Sequence, residues 1–167
     1  MDLIQLSKEL LMQKLIPREL YFTELDETIQ TNQVTVIQWQ RRVGRSSIVL
    51  SYFQDSKIDP QKIFFFNKEL DSENRIQSVK DLNKLFDDYV AEYGQPEYIF
   101  IDEIQDIQDW ERLVRARFAL KKEKIIISWS NSQLLSWELA TYLTGRYLSF
   151  EVYPLNFSEY LLFTKNN

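Results

Sequence analysis

The sequence contains no cysteine and no histidine, and only 3 of its 167 residues are glycine. Without cysteine there is no disulfide, no zinc–thiolate site and no cysteine nucleophile. Without histidine, Ser-His-Asp triads, most zinc hydrolase sites and a histidine general base are excluded. The chemistry that remains uses carboxylates, hydroxyls, cationic side chains and backbone amides, and phosphoryl transfer needs little else.

Long apolar runs are also missing. No stretch of about 18 apolar residues occurs, and the first residues lack the basic region and apolar run of a signal peptide, so we expect a cytoplasmic protein without a membrane span. The formal net charge of −5 makes the chain as a whole poorly suited to non-specific nucleic-acid binding. Apolar residues nevertheless make up 44% of the chain, enough for the buried core of one domain.

The pattern of apolar residues predicts strands that alternate with helices. The predicted strands are 34–37, 62–66, 98–101, 124–128 and 146–153, and the predicted helices are 3–15, 18–30, 46–55, 78–93, 110–120, 132–141 and 157–163. Such alternation is typical of parallel βαβ units, and strands that are apolar on both faces suit a sheet covered on both sides. We therefore predict a three-layer α/β fold with a mainly parallel five-stranded sheet. Residues 1–30 would form an N-terminal helical segment that packs on a core of residues 31–167.

The segment after the first predicted strand partly matches a phosphate-binding loop. The pattern is G-x-x-x-x-G-K-[ST]; Gly44 and Ser46 fit it, whereas Trp39 stands at the first glycine and Arg45 at the lysine. Such a loop wraps backbone amides around phosphate oxygens at a helix N-terminus. The predicted nucleotide-binding residues are Trp39, Gln40, Arg41, Arg42, Val43, Gly44, Arg45, Ser46 and Ser47, with Ser46 also a Mg²⁺ ligand. The alternative is a basic loop that only caps a helix.

Two adjacent acids, Asp102 and Glu103, follow the third predicted strand. Ligands of parallel sheets bind beyond the carboxyl ends of the strands, so these acids are expected to face the predicted phosphate loop. We predict that Asp102 supports Mg²⁺, directly or through water, and that Glu103 orients and polarises the attacking water. Two solvated acids that end a strand are the alternative interpretation.

Further candidate residues follow the fourth strand and precede the fifth. Asn131 is predicted to contact the γ-phosphate or the attacking water, and its alternative role is to cap the next helix. Arg146 is either a phosphate sensor within the chain, an arginine finger for a neighbouring subunit, or a surface charge. The basic run within residues 112–124 is either a solvated helix face or a nucleic-acid contact.

Taken in order, these segments resemble the N-terminal ATPase domain of archaeal and bacterial AAA-type proteins that carry a C-terminal domain of unknown function, the DUF4143 group. The segments that carry the resemblance are 41–44 (RRVG), 102–105 (DEIQ), 130–132 (SNS), 143–146 (LTGR) and 154–160 (PLNFSEY). The resemblance implies an AAA-like P-loop NTPase fold, ATP and Mg²⁺ as ligands, and a C-terminal domain missing from this chain. A homo-oligomer or a protein partner also fits this group.

Tryptophan stands where the resembled family has glycine, at Trp39, Trp129 and Trp137. An indole in a phosphate loop would tend to block it, because glycine permits close backbone approach. We hypothesise that UGA codons specify glycine at these positions, as in some uncultivated bacteria; UGG codons would end this hypothesis. Arg45 differs from lysine in size and geometry, which predicts slow hydrolysis or binding without turnover.

Three functions remain open at this point. The leading prediction is an ATP-binding and ATP-hydrolysing module that couples its nucleotide state to a C-terminal domain or partner. The second is a degenerate nucleotide-binding or interaction module without turnover. The third is a nucleic-acid-associated regulator that uses the basic run, which the acidic net charge disfavours.

Overall fold

The computed structural model describes residues 2–39, 45–129, 141 and 143–165. Its strands are β1 (Val34–Trp39), β2 (Ile63–Asn67), β3 (Tyr98–Asp102), β4 (Lys124–Trp129) and β5 (Tyr147–Val152). Its helices are α1 (Leu3–Met12), α2 (Phe22–Gln30), α3 (Arg45–Asp55), α4 (Val79–Tyr93), α5 (Trp110–Leu120) and α6 (Phe157–Lys165). Short 3₁₀ turns lie at Glu19–Tyr21, Pro60–Lys62, Lys68–Leu70 and Ile104–Asp106.

The five strands form one sheet in the order β2-β3-β4-β1-β5, and every pair of neighbours is parallel. The predicted five-stranded parallel sheet is therefore confirmed. All residues of β2 are buried, as expected for a strand whose two faces are both covered by helices. Because all strands run in the same direction, their carboxyl ends share one edge of the sheet, which we call the carboxyl edge; the opposite edge is the amino edge.

Helices cover both faces of the sheet. On one face, Phe86 of α4 and Val114 of α5 belong to a buried cluster with odd-numbered residues of β3 and β4, such as Ile101. On the other face, Leu25 of α2 and Phe53 of α3 pack in a second cluster with even-numbered residues of β3 and β4. Side chains alternate between the faces of a strand, so each strand contributes to both clusters. The result is a three-layer α/β architecture.

Local signals explain where individual elements begin and end. Helix α4 starts with a capping box between Ser78 and Asp81, in which each side chain accepts a hydrogen bond from the other's backbone. It ends at Gly94, whose φ of 82° is readily adopted only by glycine. Such signals made the bounds of α4 predictable from the sequence.

Two predicted helices are shorter in the structure. Helix α1 ends at Met12 because Gln13 is extended, whereas the prediction ran to residue 15. Residues 18–30 form a 3₁₀ turn followed by α2 from Phe22, instead of one continuous helix. The predicted helix at 132–141 lies, apart from residue 141, outside the described residues. In the described segments, no helix has both the length and the apolar character that crossing a bilayer requires.

Candidate nucleotide site at the carboxyl edge

Three polar side chains meet where β2, β3 and β4 end. Asn67 and Asp102 are direct partners in the parallel register of β2 and β3. Each of these side chains follows, by two positions in its strand, a residue of the buried cluster that contains α3. Because residues two apart in a strand project on the same face, Asn67, Asp102 and Ser128 lie on the α3 side of the sheet. They are 8%, 1% and 0% exposed, respectively. The end of the sheet thus places buried polar groups beside the start of α3.

Asp102 is the common acceptor of this group. Its Oδ2 accepts a hydrogen bond from the Ser46 hydroxyl and another, at 3.0 Å, from the Asn67 amide. Its Oδ1 accepts a hydrogen bond from the Ser128 hydroxyl. A buried carboxylate is retained at low cost only when such donors surround it. At least three donors from three different elements therefore hold Asp102 in one orientation.

Glu103 lies next to Asp102 and is only 3% exposed. Its φ of 55° is in the left-handed region, where residues other than glycine are uncommon and strained. Its backbone N–H donates to Ser128 Oγ at 3.1 Å, and its Oε2 accepts from Gln105 Nε2 at 2.6 Å. Ser128 consequently contacts both acids, through the carboxylate of Asp102 and the backbone of Glu103.

Ser46 and Asp102 together fit a Mg²⁺ site. A hydroxyl and a carboxylate are the hard oxygen ligands that Mg²⁺ prefers, and it usually keeps waters and phosphate oxygens as further ligands. Within the described ranges, no group of three or more acidic side chains could hold a metal ion by itself. A Mg²⁺ ion at this edge would therefore need phosphate and water oxygens to complete its coordination, as in phosphate-loop sites.

The predicted phosphate loop lies in the expected setting, between a strand and a helix. Strand β1 ends at Trp39 at the carboxyl edge, where it pairs with Val152, and α3 begins at Arg45. Ser46 is in the first turn of α3 and contacts Asp102, and Ser47 follows it. The predicted binding residues 40–44 and the predicted sensor Asn131 lie outside the described residues.

Comparison with known proteins identifies the family of this chain. The profile of an AAA domain family matches residues 31–161. The chain belongs to this AAA domain family. It is 33% identical over 150 residues to an uncharacterized protein of Haemophilus influenzae, and 33% identical over 141 residues to the uncharacterized protein MJ1544 of Methanocaldococcus jannaschii. These alignments cover 88% and 81% of this chain but only 38% and 30% of the two relatives.

Solved structures of AAA-type ATPases have the same fold. The chain aligns over 99% of its length with 26% of the Saccharomyces cerevisiae Hsp104 chain in its ADP complex, with a TM-score of 0.66 and 15% identity. It aligns over 93% of its length with 52% of AMPPCP-bound DnaA from Aquifex aeolicus, with a TM-score of 0.55 and 12% identity. The predicted AAA-type P-loop fold is confirmed, and the association with a DUF4143 domain stays a prediction.

Arg146 does not reach the carboxyl edge of this AAA domain. It precedes β5, and its carbonyl accepts a hydrogen bond of 2.8 Å from the N–H of Val34, the first residue of β1. Its guanidinium carbon lies 5.8 Å from the ring centroid of Phe118. A strand as long as the six-residue β5 separates the two edges by about 20 Å. This position disfavours a contact between Arg146 and phosphate within the same chain. Its role toward phosphate, in this chain or in a neighbouring subunit, stays a prediction.

The Trp129 side chain lies on the opposite face of the sheet from Asp102. It is 4% exposed and packs edge-on against Trp110, with ring centroids 5.3 Å apart, in the core cluster on the α4 and α5 side of the sheet. Asp102 projects on the α3 side, so the Trp129 indole does not lie over it. Within the described part of the chain, the buried Trp129 Nε1 has no hydrogen-bond partner. Trp137 lies outside the described residues.

Sequence reasoning missed Asn67 and Ser128 as site residues. The signal was available, because each is a polar residue that follows an apolar run, Phe64–Phe66 in one case and Ile125–Ile127 in the other. In a parallel sheet such residues arrive at the same edge as Asp102. Gln105, which binds the Glu103 carboxylate, had no comparable signal.

Proposed function

We propose that this AAA domain binds ATP with Mg²⁺ at the carboxyl edge and hydrolyses it. The observation that carries the proposal is the hydrogen bond from Ser46 to Asp102, two residues 56 positions apart in the chain. It joins the first turn of α3, where the phosphate loop is expected to end, to the acid at the end of β3. The AAA-type fold and the strand–loop–helix order of residues 34–55 support the same location.

Each described residue has a distinct role in this proposal. Ser46 and Asp102 would hold Mg²⁺, which neutralises phosphate charge and orients the nucleotide when bound. Glu103 would orient and polarise the attacking water. Its Oε2 accepts a hydrogen bond from Gln105, which orients the carboxylate and leaves Oε1 as a further acceptor site. The proposal also includes backbone amides of residues 39–47 as phosphate ligands and Asn131 as the γ-phosphate contact.

The Glu103→Gln variant tests the hydrolytic step. Loss of general-base assistance should lower ATP turnover by about 10²-fold or more while ATP binding is retained. Glu73→Gln is the matched control, since the Glu73 side chain is 65% exposed and pairs with Arg75. ATP binding without turnover in the unmodified protein would favour the degenerate module, with Arg45 as its first suspected cause. Absence of ATP binding would overturn the proposal.

We further propose that α6 couples the nucleotide state to a C-terminal domain or a protein partner. Phe157, Tyr160 and Leu162 of α6 are 74%, 55% and 53% exposed, so this helix presents an apolar surface to solvent. The other side of α6 is anchored, because Glu159 and Arg18 form an ion pair of 2.7 Å. The two longer relatives contain residues beyond the aligned region that are available to cover such a surface.

Hydrogen exchange on the Haemophilus influenzae relative tests this proposal. The full-length relative and its fragment corresponding to this chain should differ at the α6 segment, which is expected to exchange faster in the fragment. The α4 segment, which packs on the sheet in this chain, serves as the internal control. Equal exchange of the α6 segment in both forms would show that the rest of the protein does not cover it.

The basic run gives little support to the nucleic-acid alternative. Arg112 is 67% exposed, but Arg117 is only 17% exposed, with its guanidinium carbon 3.8 Å from the Phe86 ring centroid and a nitrogen 3.7 Å from Glu123. The basic residues of α5 thus do not share one solvated face. A continuous cationic surface of the kind that neutralises nucleic-acid phosphates is not formed by this helix.

A further inference from the structure

Ser128, in β4, contacts both acids of the proposed nucleotide site. Its side chain is buried, with 0% exposure, so groups of the protein surround its hydroxyl. The hydroxyl donates a hydrogen bond to Oδ1 of Asp102 and accepts one of 3.1 Å from the backbone N–H of Glu103. One side chain thus joins the acid that is proposed to hold Mg²⁺ to the acid that is proposed to polarise water.

The chemistry of its partners fixes the direction of this hydroxyl. A serine hydroxyl donates one proton and accepts through its lone pairs. An ionised carboxylate can only accept, and a backbone N–H can only donate. The Ser128 proton therefore points at Asp102 and a lone pair points at Glu103, and the two roles cannot be exchanged. This arrangement fixes the Asp102 carboxylate relative to the Glu103 backbone.

The two acids depend on this contact to different degrees. Asp102 also accepts hydrogen bonds from Ser46 and Asn67, so at least two donors remain when the serine hydroxyl is removed. Glu103 has a φ of 55° and a ψ of 48°, a left-handed conformation that is strained for residues other than glycine and persists only where surrounding contacts maintain it. The hydrogen bond from its N–H to Ser128 is one such contact. Loss of the hydroxyl should therefore move Glu103 more than Asp102.

We propose that Ser128 is a positioning residue for ATP hydrolysis, an inference that rests on the proposed ATPase function. It holds the Glu103 carboxylate in the position, relative to Asp102, from which Glu103 orients the attacking water. The effect passes through the backbone of Glu103, because the Ser128 hydroxyl is itself buried and engaged by both acids. A displacement of about 1 Å in a group that orients a reactant can lower the rate about 10²-fold. Ser128 should consequently affect turnover more than MgATP binding.

The Ser128→Ala variant tests this role. Its kcat should fall about 10- to 100-fold, while its Kd for MgATP should change by less than about threefold, because an interaction that acts only in the chemical step leaves binding unchanged. Ser128→Thr keeps the hydroxyl on a side chain suited to a strand and should restore kcat to within about threefold of the unmodified protein. Ser7→Ala is the matched control, and its kcat should not change. Ser7 is 5% exposed, and its hydroxyl donates to the Leu3 carbonyl within α1 at 2.8 Å.

Amide hydrogen exchange, followed by NMR without nucleotide, gives a readout that does not need turnover. The Glu103 N–H should exchange at least about tenfold faster in Ser128→Ala than in the unmodified protein, and its protection should return in Ser128→Thr. The Phe100 amide, in the middle of β3, is the internal control for global opening. A general loss of stability would accelerate exchange at both positions, whereas loss of the contact accelerates it at Glu103 alone.

The outcomes separate this inference from the proposed function. If the unmodified protein hydrolyses ATP, and Ser128→Ala keeps its kcat or loses MgATP binding to the same extent as turnover, the positioning role is overturned and the ATPase function stands. The role is also overturned if Ser128→Thr is as slow as Ser128→Ala, or if the protection of the Glu103 amide does not change. If the unmodified protein shows no turnover, the proposed function fails and the positioning role fails with it.

A second variant keeps the test decisive if Ser128→Ala does not fold. Ser128→Cys replaces the hydroxyl by a thiol, which is only a weak donor and acceptor. Its kcat should fall in the same direction, again with MgATP binding retained. Full kcat in Ser128→Cys would overturn the positioning role.

Discussion

Replacement of Asp102 by asparagine should remove the stabilisation of this AAA domain by MgATP while the unliganded domain stays folded. Asparagine keeps the shape of the side chain but replaces one acceptor oxygen by an NH₂ donor. If its remaining oxygen faces Ser46 and Asn67, those two hydrogen bonds persist and the acceptor for Ser128 is lost. The Ser128 hydroxyl can rotate and accept from the new NH₂ group.

The expected cost to the unliganded domain is small. A hydrogen bond to a charged group contributes about 1.5–3 kcal/mol. Asp102 is only 1% exposed, so the loss is partly offset because a neutral amide is easier to bury than a carboxylate. The free energy of unfolding of Asp102→Asn should therefore change by less than about 2 kcal/mol.

The effect on ligand binding should be large by comparison. At a ligand concentration of about 100 times Kd, binding stabilises the folded state by about 2.7 kcal/mol. For a domain of this size that corresponds to a Tm increase of about 5–11 °C. If loss of the carboxylate weakens MgATP binding about a hundredfold, about 0.4 kcal/mol remains, and the Tm increase falls below about 2 °C.

Thermal unfolding monitored with and without MgATP measures both effects. Asp106→Asn is the matched control, since it makes the same substitution at an exposed acid on the turn after Glu103. ATP with EDTA separates nucleotide binding from the metal contribution. The reasoning is refuted if Asp102→Asn shows the full MgATP-dependent increase, or if Asp106→Asn loses it to the same extent.

Three further predictions concern other buried charges. Glu159→Gln should destabilise the domain by about 3–5 kcal/mol, because it breaks the buried pair with Arg18. Denaturant unfolding measures this loss of stability. Replacing both residues by apolar ones should recover part of it. Asp71→Asn should destabilise the domain at neutral pH. Burial raises the pKa of Asp71, but hydrogen bonds from Lys68 and backbone N–H groups outweigh this effect and the net pKa is lowered. The advantage of the unmodified protein should therefore begin to shrink as pH falls below about 4, and it should be lost as pH falls through the lowered pKa of the folded state. Burial lowers the pKa of Lys8 to about 8. Above that pH the unfolded chain therefore binds more protons than the folded one. The unmodified protein should gain stability relative to Lys8→Met as pH rises from about 8 toward 10. A constant difference in stability across this range would contradict the lowered pKa of Lys8.

The sheet was predictable from the sequence because its physical signals are local and strong. A run such as Ile125–Ile127 is apolar on both faces, which only a strand covered by two helix layers accommodates. Alternation with helices then implied parallel strands, and parallel strands implied that Ser46 and Asp102 share an edge. That contact is present in the structure. Helix ends were less predictable where no cap residue marks them, as at Met12 of α1.

The exact partners of side chains from neighbouring strands depend on strand register, which was not predicted. The role of Asn67 depends on the register of β2 against β3, which places it opposite Asp102; a shift of one residue would turn it to the other face. The position of Arg146 was also not predicted, because closeness in the sequence does not imply closeness in the fold. It stands near the polar segment 130–132 in the chain, yet it enters β5 at its amino end and so lies at the far edge of the sheet.

Trp129 shows why residue identity alone does not decide whether a site is blocked. In sequence, an indole beside a presumed phosphate contact suggested obstruction. In the structure Trp129 lies two residues after Ile127 in β4, so both side chains project on the same face of the sheet and the indole packs in the cluster with Trp110. Ser128 projects on the opposite face, where it donates a hydrogen bond to Asp102. The core accommodates the ring but leaves its Nε1 without a partner among the described residues, a cost that glycine would not incur. The Trp129 side chain thus does not lie over Asp102. The obstruction hypothesis now depends on Trp39, which ends β1 at the carboxyl edge, and on Trp137, which lies outside the described residues.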